Sequence, residues 1–342
     1  MTIYANNTSL SLLRHLRLQL GTAGPEAFSH TAAGQLKLVS GHSILQAKPN
    51  NSDIQRMKQL LSCSNSPFHT QTLKQHRVSH PNLICHTVLA SSIEDKFVEV
   101  EHGVFCLRPE ETIRQLCQSL PFVDALLACY ELCGCYVLPV HPGHGSAVSG
   151  AKPVTPPTRI STYVNRPDKA RGRRATLEVL RFVVPFAASP MESAIVLILV
   201  LPRRYGGYGL PLPQLNRKVN ASMKNADGSI HKTFYLDAYW PDFKLAMEYD
   251  SDEFHFSSIQ DAYRDADRRI WLAKKGIDTV VLTKKQAHDL AQLDRAASAI
   301  ASKMGKRLRL TDPDYKAKRA ALHAALFPQA YRDDLVPCEC YF

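Results

Sequence analysis

The C-terminal half of the chain predicts an α/β domain with a central mixed sheet flanked by helices, and a smaller α+β domain precedes it. Three observations carry this expectation. Two short runs, FYLDAYW and KLAMEYD, are rich in aromatic and apolar residues and are parted by Pro241 and Asp242, as in paired strands. A helical pattern from about 258 to 275 stops at Gly276, a helix-ending residue. The apolar, β-branched run IDTVVLT then reads as a buried strand, ahead of helical stretches at about 284–304 and 312–325. Strand, strand, helix, strand, helix is the order of an α/β unit.

The length of 342 residues fits two domains of ordinary size, here divided as 1–175 and 176–342. In the first, SLSLLRHLRLQL and DIQRMKQLL are helical pieces within residues 1–60. Residues 84–107 read as strands, VFCLR the clearest of them. A helix follows in PEETIRQLCQSLPFVDALLACYELCGCY, with Pro109 at its start and acids in the first turn. The Pro, Gly, Ser and His-rich stretch 138–158 is a loop or insertion. The second domain opens on SAIVLILVL, where Ser189 at the N-cap, Pro190 and Glu192 form a capping box. LPRRYGGYGLPLPQLNRKV is expected to be loop or irregular strand.

Hydrophobic residues make up 45% and charged residues 21%, ordinary values for a globular chain. The net charge of +11 favours contact with a polyanion, although a basic surface alone would give the same number. The N-terminus lacks the apolar core of a signal peptide, and the longest apolar run, Ala194 to Leu201, is too short to span a bilayer. A cytoplasmic, reducing setting without membrane contact is therefore expected, and nine cysteines, an odd count, argue against a disulfide framework.

Acids near strand ends are costly to gather unless a cation neutralises them. Alternation puts Asp237 on one face of the first strand and Glu248 with Asp250 on one face of the second. A hairpin around PDFK would bring Asp237 close to Glu248, and such a set can hold Mg²⁺ or Mn²⁺. A hairpin with solvent-facing acids is the plainer alternative. The basic run of Arg166, Lys169, Arg171, Arg173 and Arg174 is either solvated surface or a phosphate contact. Cys63, His69, His76, His80, Cys85 and His86 form a loose group, as do Cys129, Cys133 and Cys135. None has paired C-x-x-C spacing, so buried structural cysteine is expected rather than zinc.

DAYWPDFKLAMEYDSDEFH, followed by Asp265, Arg268, Leu272 and Gly276, resembles the Vsr-like branch of the PD-(D/E)XK nuclease superfamily over roughly residues 186–300. The resemblance implies a restriction-endonuclease-like domain that hydrolyses DNA phosphodiesters, with Asp237 and Glu248 as ligands of Mg²⁺ or Mn²⁺. It assigns Asp250, His255 and Glu192 to the same site. Glu192 is explained equally by its cap. His255 either positions water or phosphate or anchors its loop. Arg268 either contacts a phosphate or pairs with Asp265 one turn earlier. With Arg171, Arg173 and Arg174 it forms the implied nucleic-acid contact. Two departures stand out: Asp250 occupies the place of the superfamily's usual lysine, and Ser251 that of a glycine. Lys232 or Lys244 could supply the missing cation. The first domain, similar in organisation to AbiEi-type antitoxins, would recognise a target or a partner protein. The alternative is thus an inactive nuclease-fold DNA-binding regulator or AbiEi-like antitoxin.

Overall fold

The computed structural model describes the chain except residues 1, 25–26, 28–31, 40–48, 62–66, 89–96, 141–144, 167–170, 226–227, 251–258 and 328–342. The chain is mixed α/β, with two mixed sheets, and divides into two compact units between Val183 and Val184. The division falls later than residue 175 because the helix Arg173–Leu180 packs on helices of the first unit.

The first unit runs β1 (Thr2–Tyr4), α1 (Asn6–Leu20), β2 (Leu38–Val39), α2 (Asn51–Leu60), β3 (Phe68–Leu73), β4 (Leu83–Val88), β5 (Phe97–Glu101) and β6 (Val104–Leu107). Its helices continue with α3 (Pro109–Ser119) and α4 (Phe122–Cys133), a short β7 (Tyr136–Val137) and β8 (Val148–Ser149), then α5 (Pro157–Val164) and α6 (Arg173–Leu180). The long helix expected from Pro109 onward is two helices. Pro121 cannot donate a backbone hydrogen bond, and it stands as the N-cap of α4.

The six-stranded sheet has the order β2-β5-β6-β1-β3-β4. β1 lies parallel to β6 and antiparallel to β3, while β3 lies parallel to β4. Ile3, Ala5, Phe97, Phe105 and Leu107 form a buried cluster on this sheet. Cys106, Cys117, Cys129, Cys133 and Cys135 are buried, which for Cys129, Cys133 and Cys135 is the placement expected of structural cysteine.

The second unit begins with α7 (Pro190–Val200), apolar all round and buried from Glu192 to Val200. β9 (Gln214–Asn225), β10 (Gly228–Trp240) and β11 (Leu245–Asp250) follow, then α8 (Ile259–Lys274), β12 (Asp278–Thr283), α9 (Lys284–His288), α10 (Leu290–Lys303) and α11 (Pro313–Leu326). The sheet order is β12-β11-β10-β9, with β11 parallel to β12 and the other pairs antiparallel. The region expected to be loop or irregular strand holds the first half of β9, Gln214 to Val219. Pairing along almost the whole of β10 overrides the weak strand pattern of its polar residues.

Gly207 has to be glycine: a Cβ there would lie 2.0 Å from the carbonyl oxygen of Leu201. Leu236, Ala246, Leu272 of α8 and Ile277 pack as one buried cluster, which seats α8 on the sheet. Gly276, in the left-handed region at φ 68, then ends that helix as expected. Among the described residues no helix is long and apolar enough to cross a membrane.

Candidate active site

The hairpin of β10 and β11 forms as the acids require. Tyr239 pairs with Ala246 and Ala238 with Met247, so the next step along the ladder faces Asp237 toward Glu248. There the Asp237 carboxylate takes over from the main chain and accepts a hydrogen bond from the Tyr249 N–H at 2.8 Å. The turn between the strands is the Trp240-Pro241 corner. Trp240 is buried, and its indole N–H donates to the Pro211 carbonyl at 2.7 Å. Lys244 completes the turn in the left-handed region, at φ 46.

Glu248 lies half-buried and accepts from Nη2 of Arg268 at 2.6 Å. The same nitrogen donates to the Tyr235 carbonyl at 2.7 Å, so Arg268 ties α8 to both strands of the hairpin. Of the two roles expected for Arg268, the structure shows the ion pair, but with Glu248 across the sheet. The side chain of Asp265 lies outside the described residues. Lys232, a candidate substitute cation, is held by Asp267 and sits 5.5 Å from the Trp271 ring centroid.

Glu192 enters from α7. Ser189 caps that helix by accepting from the Glu192 N–H at 3.1 Å. The reciprocal half of the expected capping box differs: Glu192 accepts from the N–H of Ala188, one residue before the cap, at 2.8 Å. Asn216 of β9 donates to the same oxygen at 2.9 Å and to the Phe186 carbonyl at 2.8 Å. This bridge was invisible in the sequence. Its signature is a φ of 46 at Asn216, a conformation that asparagine tolerates better than most residues.

Burial, and then the charge of Asp237, push the Glu192 carboxyl up to about 7. Burial likewise pushes Asp237 up, against the lowering influence of the Tyr249 N–H and the Arg268 charge. The two carboxyls therefore share one electrostatic environment, and among the described residues neither forms an ion pair. Two buried like charges cannot both ionise cheaply. Asp250 closes β11 in an exposed position, where it is paired in register with Thr283. His255 lies outside the described residues.

Among the described residues, no group of three or more His, Cys, Asp or Glu side chains could hold a metal ion. Carboxylate oxygens are the donor type that suits Mg²⁺ or Mn²⁺, and Glu192 with Asp237 offers two such groups in one electrostatic environment. The uncompensated pair Glu192 and Asp237 is the feature that fits a cation best.

The basic run expected to touch nucleic acid lies in the first unit. Arg171, Arg173 and Arg174 are exposed, and Arg173 donates to Asn165 at 2.7 and 3.1 Å. In the second unit Lys303 pairs with Asp278 at 2.6 Å. Arg319 is buried and paired with Asp294 at 2.9 Å.

No family model matches the chain, and no solved structure matches it. Two uncharacterised proteins of Mycobacterium tuberculosis, from strains CDC 1551 and H37Rv, are each similar to it, 35% identical over 98 residues. The match covers 28% of this chain and 31% of each relative, so the chain spans less than a third of the length of the curated relatives it matches.

Proposed function

We propose that the second unit is a metal-dependent endonuclease of the Vsr-like PD-(D/E)XK type, hydrolysing DNA phosphodiester bonds in the cytoplasm. The observation that carries this reading is the approach of Glu192 and Asp237, a buried and a half-buried carboxyl brought from separate elements without an ion-pair partner among the described residues. Asp237 and Glu248 would hold Mg²⁺ or Mn²⁺, with Glu192 beside them. The bound ion would lower the pKa of a water and steady the charge that builds on the phosphate. Glu192, with its carboxyl near 7, exchanges a proton close to neutral pH and is suited to take one from an attacking water. Arg268 orients the Glu248 carboxylate from α8. Asp250 stands where a lysine would stabilise charge, so that part of the chemistry falls to other groups. The arginines at 171, 173 and 174 would contact the phosphate backbone, giving salt-sensitive binding with little sequence preference.

A second reading, an inactive nuclease-fold DNA-binding regulator or AbiEi-like antitoxin, is favoured by one specific contact. Arg268 already supplies a positive charge to Glu248 at 2.6 Å, in the place of a metal. The two readings part in one assay. The protein is incubated with plasmid, linear and single-stranded DNA and with RNA, in Mg²⁺ or Mn²⁺, beside Asp237→Ala and Glu248→Ala. The nuclease cleaves DNA, and each substitution lowers the rate about a thousandfold or more. Binding without metal-dependent cutting would leave the regulator.

A further inference from the structure

The first unit holds a second constellation, which the nuclease reading does not use. Nδ1 of His69, on β3, lies 2.9 Å from Nε2 of His86, on β4. The side-chain amide nitrogen of Asn6, at the start of α1, lies 3.0 Å from the His86 nitrogen and 3.3 Å from the His69 nitrogen. Three polar atoms thus close a triangle with every edge at hydrogen-bonding length. The neighbouring Cys85 takes no part. It alternates to the other side of β4, where it accepts from Thr70 and donates to the Val78 carbonyl.

Hydrogen bonds cannot satisfy this triangle. Each ring nitrogen either carries a proton and donates, or is bare and accepts. The amide presents either a nitrogen that only donates or, turned over, an oxygen that only accepts. Three corners shared between two roles always leave one edge joining like to like. A donor would face a donor, or an acceptor an acceptor, at 3.3 Å or less. The conflict persists whichever ring is protonated and whichever way the amide points. It disappears if all three corners are lone-pair donors to one cation.

The size of the triangle agrees. Its centre lies roughly 1.8 Å from each corner, so an ion about 1 Å off the plane would reach all three at ~2.1 Å, a zinc–nitrogen bond length. The rings stand nearly parallel, 14° apart, with centroids 5.1 Å from each other, and both are only half-buried, which leaves room for water as a further ligand. Asn6 is held to its place by a left-handed φ of 45, an uncommon conformation of the kind found at ligand sites. Burial, with the neighbouring His86 second, lowers His69 to about 4, and burial lowers His86 as well, so both rings are in the neutral, ligating form at pH 7.

We propose that His69, His86 and Asn6 form a binding site for a borderline divalent transition metal, Zn²⁺ by preference, that joins α1 to β3 and β4. Two imidazoles and an amide oxygen suit Zn²⁺, Co²⁺, Ni²⁺ or Cu²⁺ and are poor ligands for Mg²⁺. The site is independent of the carboxylates in the second unit and stands or falls separately from the nuclease reading.

The test is a titration of the full chain with Co²⁺, in an Asp237→Ala background so that metal at the carboxylates does not register. One Co²⁺ per chain is expected, with visible bands of nitrogen and oxygen ligation and no thiolate charge-transfer band. Zn²⁺ should displace it and excess Mg²⁺ should not. His86→Ala should weaken binding at least tenfold, whereas Asn6→Asp should retain it. If His86→Ala does not fold, the proton signals of His69 and His86 in the parent protein serve instead, and bound Co²⁺ should shift or broaden both. Absence of binding, a thiolate band, affinity unchanged in His86→Ala, or histidine signals untouched by Co²⁺ would each overturn the proposal.

Discussion

The two units treat buried acids in opposite ways. In the first, every buried glutamate among the described residues meets an arginine. Glu131 receives a two-pronged contact from Arg14 at 2.7 and 2.8 Å. Glu110 receives Arg108 at 2.6 Å and Arg159 at 2.9 Å, and Glu111 receives Arg114. In the second, Glu192 is held by the Ala188 N–H, the Asn216 amide and the Ser189 hydroxyl, all neutral, and lies under the charge of Asp237. An acid whose countercharge is built into the fold is structural. Two acids gathered without one remain electrostatically open, and that openness is what an external cation can use.

The largest effect should come from breaking a pair in the first unit. Arg14→Met leaves Glu131 buried without its partner and should cost about 3–5 kcal/mol, read as a lower denaturant midpoint. The same disturbance in the second unit should act in the other direction. Asp237→Asn removes the charge beside Glu192 and should stabilise the metal-free protein at pH 8 by about 1 kcal/mol, despite losing a carboxylate. A destabilisation there as large as that of Arg14→Met would erase the contrast between the units.

The pH dependence sharpens the comparison further. The Glu192 carboxyl is raised from its ordinary value of 4.5 to about 7 in the folded chain, so between those values the folded state binds more protons than the unfolded one. Stability is then lost as pH rises from about 4.5 to about 7, by an amount on the order of 3 kcal/mol, and levels off above. Glu192→Gln should flatten that slope, measured by thermal unfolding across the range; an unchanged slope would show that Glu192 does not titrate there. The smallest effect is expected at the partly exposed pair Arg268–Glu248. Arg268→Met should lower stability by at most ~1 kcal/mol while raising the Asp237 pKa further, because the Arg268 charge lowers it. Carbon-13 NMR titration of the aspartates can follow that shift.

Much of the second unit was readable in the sequence because its signals are local. The hairpin followed from period-two alternation on either side of Pro241, the start of α7 from Ser189 and Pro190, and the end of α8 from Gly276. What escaped depends on distant partners. β1 has three residues, too few for any period, yet it pairs between β6 and β3 within the first sheet. β9 is a strand because β10 pairs with it, and Asn216, which holds Glu192, comes from that strand. The contact of Arg268 with Glu248 spans twenty residues, beyond what helix spacing can foresee. His69 and His86 looked like scattered members of a loose group until parallel pairing of β3 and β4 set them side by side.

The central claim is that Glu192 and Asp237, which form no ion pair among the described residues, can accept a cation from outside. Calorimetric titration of the intact protein with Mn²⁺ at pH 8, repeated on Asp237→Asn and Glu192→Gln, tests it most directly. The account predicts saturable binding that raises the melting temperature of the parent protein and is weakened at least tenfold in both variants. No binding to the parent protein, or equal binding in all three, would contradict it.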